Sequence, residues 1–170
     1  MDIEEALRRA LPEVRQAAVN AAGQLNRLGI RHALAGGLAV GAYGYVRATT
    51  DVDFLVGDEA FERHGALVTF KAGVPIEVGG VHIDYLSPVS LGNQLEEVLD
   101  RPSAGDELPV VPIEVLIYMK LAARRRRDLS DVVELIKIGI DTKRVRGYLA
   151  QYASDLLPLF NELADEALNG

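Results

Sequence analysis

At 170 residues, with 49% hydrophobic and 25% charged side chains, the chain has the composition of an ordinary globular domain and none of the bias of a fibrous or disordered segment. It has no cysteine, which excludes a disulfide framework, a zinc–thiolate site and a thiol nucleophile. The net charge of -7 argues against general coating of nucleic acid, although half of the 18 Lys and Arg fall between Lys120 and Arg146, where only Asp128, Asp131, Glu134 and Asp141 oppose them.

Residues 3 to 28 carry Ala6, Ala10, Val14, Ala17, Ala21, Leu25 and Leu28 at helical spacing and stop before Gly29, which predicts a first helix, bent at Pro12. A short strand, RHALAG, leads into Gly36 and Gly37 and a small-residue helix, LAVGAYGYV. DVDFLVG reads as a second strand, DEAFERH as a polar helical turn, ALVTFK as a strand, and PIEVGGVHIDYL as two strands about Gly79 and Gly80. A connector rich in Pro, Gly, Ser and Asp then separates a mixed front half from four amphipathic helices, three of them opening on an Asp N-cap. The predicted organisation is an α/β core over 1–108, a small mixed sheet with flanking helices, and a C-terminal helical bundle over 109–170, packed as one compact unit. No run of about 18 apolar residues and no basic-then-apolar leader occurs, so the expectation is a cytoplasmic protein with no membrane span. Oligomeric state leaves no signal.

The chemistry concentrates in GGLAVGAYGYVRATTDVDF, residues 36 to 54. Alternate residues of a strand share a face, so Asp51 and Asp53 project together while Val52 points into the core. Adjacent carboxylates repel unless a cation sits between them, and Mg suits carboxylates completed by phosphate oxygens and water. Asp84 in VHIDYL supplies a third acid on a strand able to lie beside the second. Three carboxylates would hold two ions, one activating a hydroxyl and one stabilising a leaving pyrophosphate. Gly36 and Gly37, at a strand-to-helix turn, would let backbone N–H groups approach a phosphate. They match neither G-x-x-x-x-G-K-[ST] nor G-x-G-x-x-G, which disfavours a P-loop or a dinucleotide fold. Arg47 would either contact phosphate or hold Asp51 or Asp53 in place.

Three elements, LAGG, TTDVDFLV and HIDYL, give the chain a pattern that resembles the nucleotidyltransferase superfamily of the DNA polymerase beta type. With Arg47, Thr49, Asp51 and Asp53 in the order Arg-x-Thr-x-Asp-x-Asp, it is similar to the small prokaryotic subgroup of type IV abortive-infection toxins and minimal nucleotidyltransferases. Gly37 departs from the serine that many relatives carry there. The resemblance implies transfer of a nucleoside monophosphate from a nucleoside triphosphate, with Mg or Mn, to an RNA end, a protein side chain or a small molecule. It implies metal binding and catalysis by Asp51, Asp53 and Asp84, and nucleotide binding by Gly36, Gly37, Arg47, Thr49 and Lys120. A non-catalytic, antitoxin-like partner of the same fold is the alternative. Outside this pattern, Asp128 and Asp131 read as a capping box with Asp128 at the N-cap, and Arg124 to Arg127 as a basic helix end favoured by the macrodipole. His32, His64 and His82 lack metal-ligand spacing, but His82 alternates with Asp84 and can reach the same face.

Overall fold

A computed structural model describes residues 3–101 and 108–170, with side chains from residue 12 onward; the connector expected around residues 102–107 lies outside the described residues. The first helix, α1 (Ile3–Arg27), contains Pro12 and buries Val14, Ala17, Ala18, Ala21, Ala22 and Leu25, a mostly small-residue face that lets the helix pack closely. It ends as its sequence requires: Gly29, at φ +71°, turns the chain so that the Ile30 N–H reaches the Leu25 carbonyl at 2.9 Å and its own N–H reaches Asn26 at 3.1 Å.

Next come β1 (His32–Ala35), α2 (Gly36–Ala42), β2 (Val52–Val56), the hairpin strands β3 (Phe61–His64) and β4 (Leu67–Phe70), β5 (Glu77–Val78) and β6 (Val81–Leu86). Strands order as β1-β2-β6-β5 in one sheet. The β1–β2 and β5–β6 pairs are antiparallel, whereas β2 and β6 are parallel. The mixed α+β class expected from the sequence is the class observed. One sheet face carries a row of rings: His32 meets Phe54 edge-on at 5.6 Å, Phe54 stacks on Tyr85 at 6.4 Å, and Phe70 of the hairpin lies 5.4 Å from Tyr85. That last contact anchors the two-stranded ribbon, whose Phe61 and Phe70 pair across it. The polar helical turn expected over DEAFERH is therefore only a 3₁₀ turn at Asp58–Ala60, and FERH becomes β3 because Phe61 finds Phe70. Short helices α3 (Pro88–Leu91) and α4 (Glu96–Asp100) follow.

The chain divides into two compact units: residues 1–38 with 47–110, and residues 39–46 with 111–170. Segment 39–46, the end of α2 and the loop after it, goes with the helices. The helical unit contains α5 (Ile113–Ala123), α6 (Arg126–Ile138), α7 (Thr142–Tyr152) and α8 (Leu157–Asn169). The expectation of four amphipathic helices fails at α5, which buries Val115, Leu116, Ile117, Met119, Lys120 and Leu121 because α6 and α7 both pack against it. Of the three expected Asp N-caps only Asp141 of α7 caps, accepting from the Arg144 N–H at 3.0 Å. Asp128 sits instead at the third position of α6, behind an N-cap at Arg125, and Asp155 lies in a 3₁₀ turn before α8. The basic run is also redistributed: Arg124 closes α5 in the left-handed conformation at φ 56°, but Arg126 and Arg127 open α6, where the macrodipole is positive. Among the described residues no helix is long and apolar enough to cross a membrane.

His32 and Glu59 each make stability depend on acid. Burial pushes the His32 imidazole below its usual 6.5, and the ring donates from Nδ1 to the Ile30 carbonyl at 2.9 Å. The Arg31 guanidinium, 2.8 Å away, draws the Glu59 carboxyl down to about 2 against an ordinary 4.5. Both folded-state pKa values lie below the unfolded ones, so the unfolded chain takes up protons first and stability falls with pH. The His32 contribution is complete above about 6.5 and is lost as pH falls through the folded-state value; that of Glu59 is complete above 4.5 and is lost towards 2. Urea unfolding between pH 7 and 5 should show this slope in the wild type, and His32→Leu should flatten it.

Candidate active site

The candidate site is built at the centre of the sheet. In the β2–β6 pair, Asp53 stands opposite Asp84, and on the other side Asp53 stands opposite Ala35 of β1. Opposed residues of neighbouring strands share a face, so two carboxylates lie side by side on the face away from the ring row. Both are half-buried, whereas Val52 between Asp51 and Asp53 is fully buried, as the alternation requires. Asp51 itself precedes β2 and is exposed; its backbone carbonyl accepts from the Thr49 hydroxyl at 3.2 Å.

The glycine pair is explained by what it admits. Gly36 follows β1 directly at φ +66°, and a Cβ there would fall 2.0 Å from Asp53 Oδ2 and 2.9 Å from Asp53 Cβ. Only a residue without a side chain lets the chain turn into α2 against that carboxylate. A Cβ on Gly37 would fall 2.8 Å from Thr49 Oγ1 and 3.2 Å from an Arg47 Nη atom. The absence of serine at position 37 thus has a physical reason, since Thr49 and Arg47 fill the space a side chain there would need. Gly36 and Asp53, Gly37 with Thr49 and Arg47, and Asp53 with Asp84 are accordingly neighbours within the α/β unit, and Asp51 is exposed.

The sequence flagged His82 only for reach. It proves to be the hydrogen-bond partner of Asp84, with Nε2 2.8 Å from Oδ1 and side-chain exposures of 60% and 47%. The i, i+2 alternation of VHIDYL is the signal that places both on one face.

Lys120 is different. Expected as a triphosphate contact on a helix whose default is a solvated lysine, it lies in the helical unit, its side chain 7% exposed and its Nζ 3.1 Å from Asp128 Oδ1 and 2.9 Å from Asp131 Oδ2. The side chains of both aspartates are 1% exposed. Burial raises the Asp128 carboxyl, but hydrogen bonds from Arg125 and Lys120 outweigh it and hold the group below the usual range. Its Oδ2 also accepts from the Arg125 backbone N–H at 3.2 Å, which is the half of a capping box that the sequence assigned to the wrong pair of residues. As it stands, Lys120 bridges two buried acids, and its charge is committed within its own unit.

Whether a divalent cation suits the site turns on the donors. Mg and Mn take oxygen ligands, and Mg is commonly held by one or two carboxylates plus phosphate oxygens and water rather than by a complete protein cage. The side-by-side Asp53 and Asp84 fit such a half-site. Among the described residues no three His, Cys, Asp or Glu side chains are grouped as metal ligands. Asp51 lies ahead of the strand, and one oxygen of Asp84 is engaged by His82.

No protein-family model matches the chain, and a search of curated proteins finds no match. Among solved structures, an antigenic nucleotidyltransferase-like protein from Paracoccidioides brasiliensis is similar, with a TM-score of 0.50, 16% identity, and coverage of 91% of this chain and 93% of that chain. At that identity the likeness is one of fold: the chain has a nucleotidyltransferase-like fold.

Proposed function

We propose that this chain, with its nucleotidyltransferase-like fold, transfers a nucleoside monophosphate from a nucleoside triphosphate to a hydroxyl acceptor, releasing pyrophosphate in the cytoplasm. The observation that carries the reading is the placing of Asp53 opposite Asp84 on parallel strands, with Gly36 opened to the Asp53 carboxylate. Phosphoryl transfer asks a protein mainly to align reactants and neutralise charge, which is work for carboxylates, backbone and arginine rather than for a covalent nucleophile. On this reading Asp51 and Asp53 would hold the nucleotide's cation and Asp84 would help hold a second and activate the acceptor. Arg47, Thr49 and the Gly36–Gly37 backbone would bind the phosphates, a role supported by Gly36 being a neighbour of Asp53 and Gly37 of Thr49 and Arg47. A bound Mg or Mn would supply charge neutralisation on the phosphates and a lowered hydroxyl pKa. The acceptor oxygen bonds to the α-phosphorus, the bridging bond to the β-phosphate breaks, and the hydroxyl proton leaves toward Asp84. By resemblance the acceptor is an RNA end, a protein side chain or a small molecule.

The test uses each of the four α-phosphate-labelled nucleoside triphosphates with Mg or Mn and the RNA, protein and small-molecule fractions of a lysate. Label should enter one fraction, and Asp53→Asn should reduce it by at least 100-fold with an unchanged melting temperature. Full activity in Asp53→Asn would overturn the assignment. One observation favours a second reading, a non-catalytic nucleotide-binding partner: the three acids are not gathered as a ligand group. On that reading nucleoside triphosphate would stabilise the protein without labelling any fraction, whether or not metal is added.

A further inference from the structure

Resting on that reading, we infer that His82 is a positioning residue of the site, holding Asp84 so that Oδ2 is the oxygen left to a divalent cation. The pairing of the sheet sets this up. Asp53 stands opposite Asp84 in β6, His82 lies two residues before Asp84 on the same face, and Glu77 of β5 stands opposite His82. The imidazole thus has Asp84 two residues along its own strand and Glu77 across from it on β5.

The 2.8 Å contact runs from His82 Nε2 to Asp84 Oδ1, and an ionised carboxylate only accepts, so Nε2 carries the proton. With exposures of 60% and 47%, neither side chain is fixed by packing. An exposed pair of this kind adds little to global stability, so its effect is local. A carboxylate beside another carboxylate is repelled by it and swings away. The imidazole N–H restrains one Asp84 oxygen and leaves the other to serve as ligand. Groups that hydrogen-bond a metal-ligating side chain set its orientation and basicity, and losing one typically costs about 10–100-fold in metal affinity.

The experiment titrates the full chain with Mn alone and reads free Mn by electron paramagnetic resonance. The wild type should bind, Asp84→Asn and Asp53→Asn should abolish binding, and His82→Ala should weaken it about 10–100-fold with no change in melting temperature. His82→Gln, whose amide N–H can still donate, should recover part of the loss, which a purely structural role would not do. Binding in His82→Ala equal to or tighter than wild type, with Asp84→Asn still defective, overturns the positioning role and leaves the proposed function standing. Binding that is absent from the wild type, or indifferent to Asp53 and Asp84, overturns the positioning role, and its absence again when nucleoside triphosphate is added overturns the proposed function as well.

Discussion

Lys120→Met is expected to lose about 3–5 kcal/mol of folding stability, the range seen when one partner of a buried ion pair is removed. The substitution keeps the length and apolar stem of the side chain but takes away the ammonium that stands 3.1 Å from Asp128 and 2.9 Å from Asp131. Two carboxylates, each 1% exposed, would then stand buried without that ammonium. Asp128 keeps Arg125, whose Nε lies 2.7 Å away. With a typical domain only about 5–15 kcal/mol stable, such a change brings the protein near its unfolding threshold. Urea unfolding measures it, and the double variant Lys120→Met/Asp131→Leu should recover much of the loss, because an apolar replacement of a buried pair is often tolerated. A loss under about 1 kcal/mol in the single variant would mean that Lys120 is not committed to these acids and would return it to the pool of candidate phosphate ligands.

Gly36→Ala should be the most damaging glycine substitution in the α/β unit, and Gly29→Ala isolates the reason. Both glycines have positive φ, +66° and +71°, so each alanine pays a left-handed penalty of about 1–2 kcal/mol. At Gly29 nothing lies within 4 Å of the added methyl, whereas at Gly36 it would fall 2.0 Å from Asp53 Oδ2 and 2.9 Å from Asp53 Cβ. Rotating the carboxylate relieves the first clash but not the second, since the Cβ is fixed to β2. Gly36→Ala should therefore melt below Gly29→Ala, and it alone should lose Mn binding and label transfer. Equal melting temperatures and intact binding would show that the close approach of Gly36 and Asp53 is not what sets the carboxylate in place.

Much of this was legible because it is local in the chain. The helical spacing and Gly29 gave α1 its course, the alternation of DVDF and HID gave two strands with acids on one face, and Gly-Gly before a small-residue run gave a turn into a helix. What misled the local reading was partnership. FERH is polar enough for a helical turn until Phe61 meets Phe70. Asp128 looks like an N-cap until the preceding Arg125 takes that place. Lys120 looks solvated until α6 brings Asp128 and Asp131 to it.

By itself, the sequence determined which residue types were available and how they were spaced along each element: three carboxylates, two adjacent glycines, one arginine and a set of alternating apolar positions, all governed by the periods of strand and helix. Tertiary structure alone decided their partners. Parallel pairing of β2 with β6 set Asp53 beside Asp84 across some thirty intervening residues, the φ of +66° at Gly36 turned backbone against carboxylate, and helix packing buried Lys120. The reason is that pairing register and burial depend on long-range contacts, whose energies are fixed by the whole core and not by any local stretch of chain.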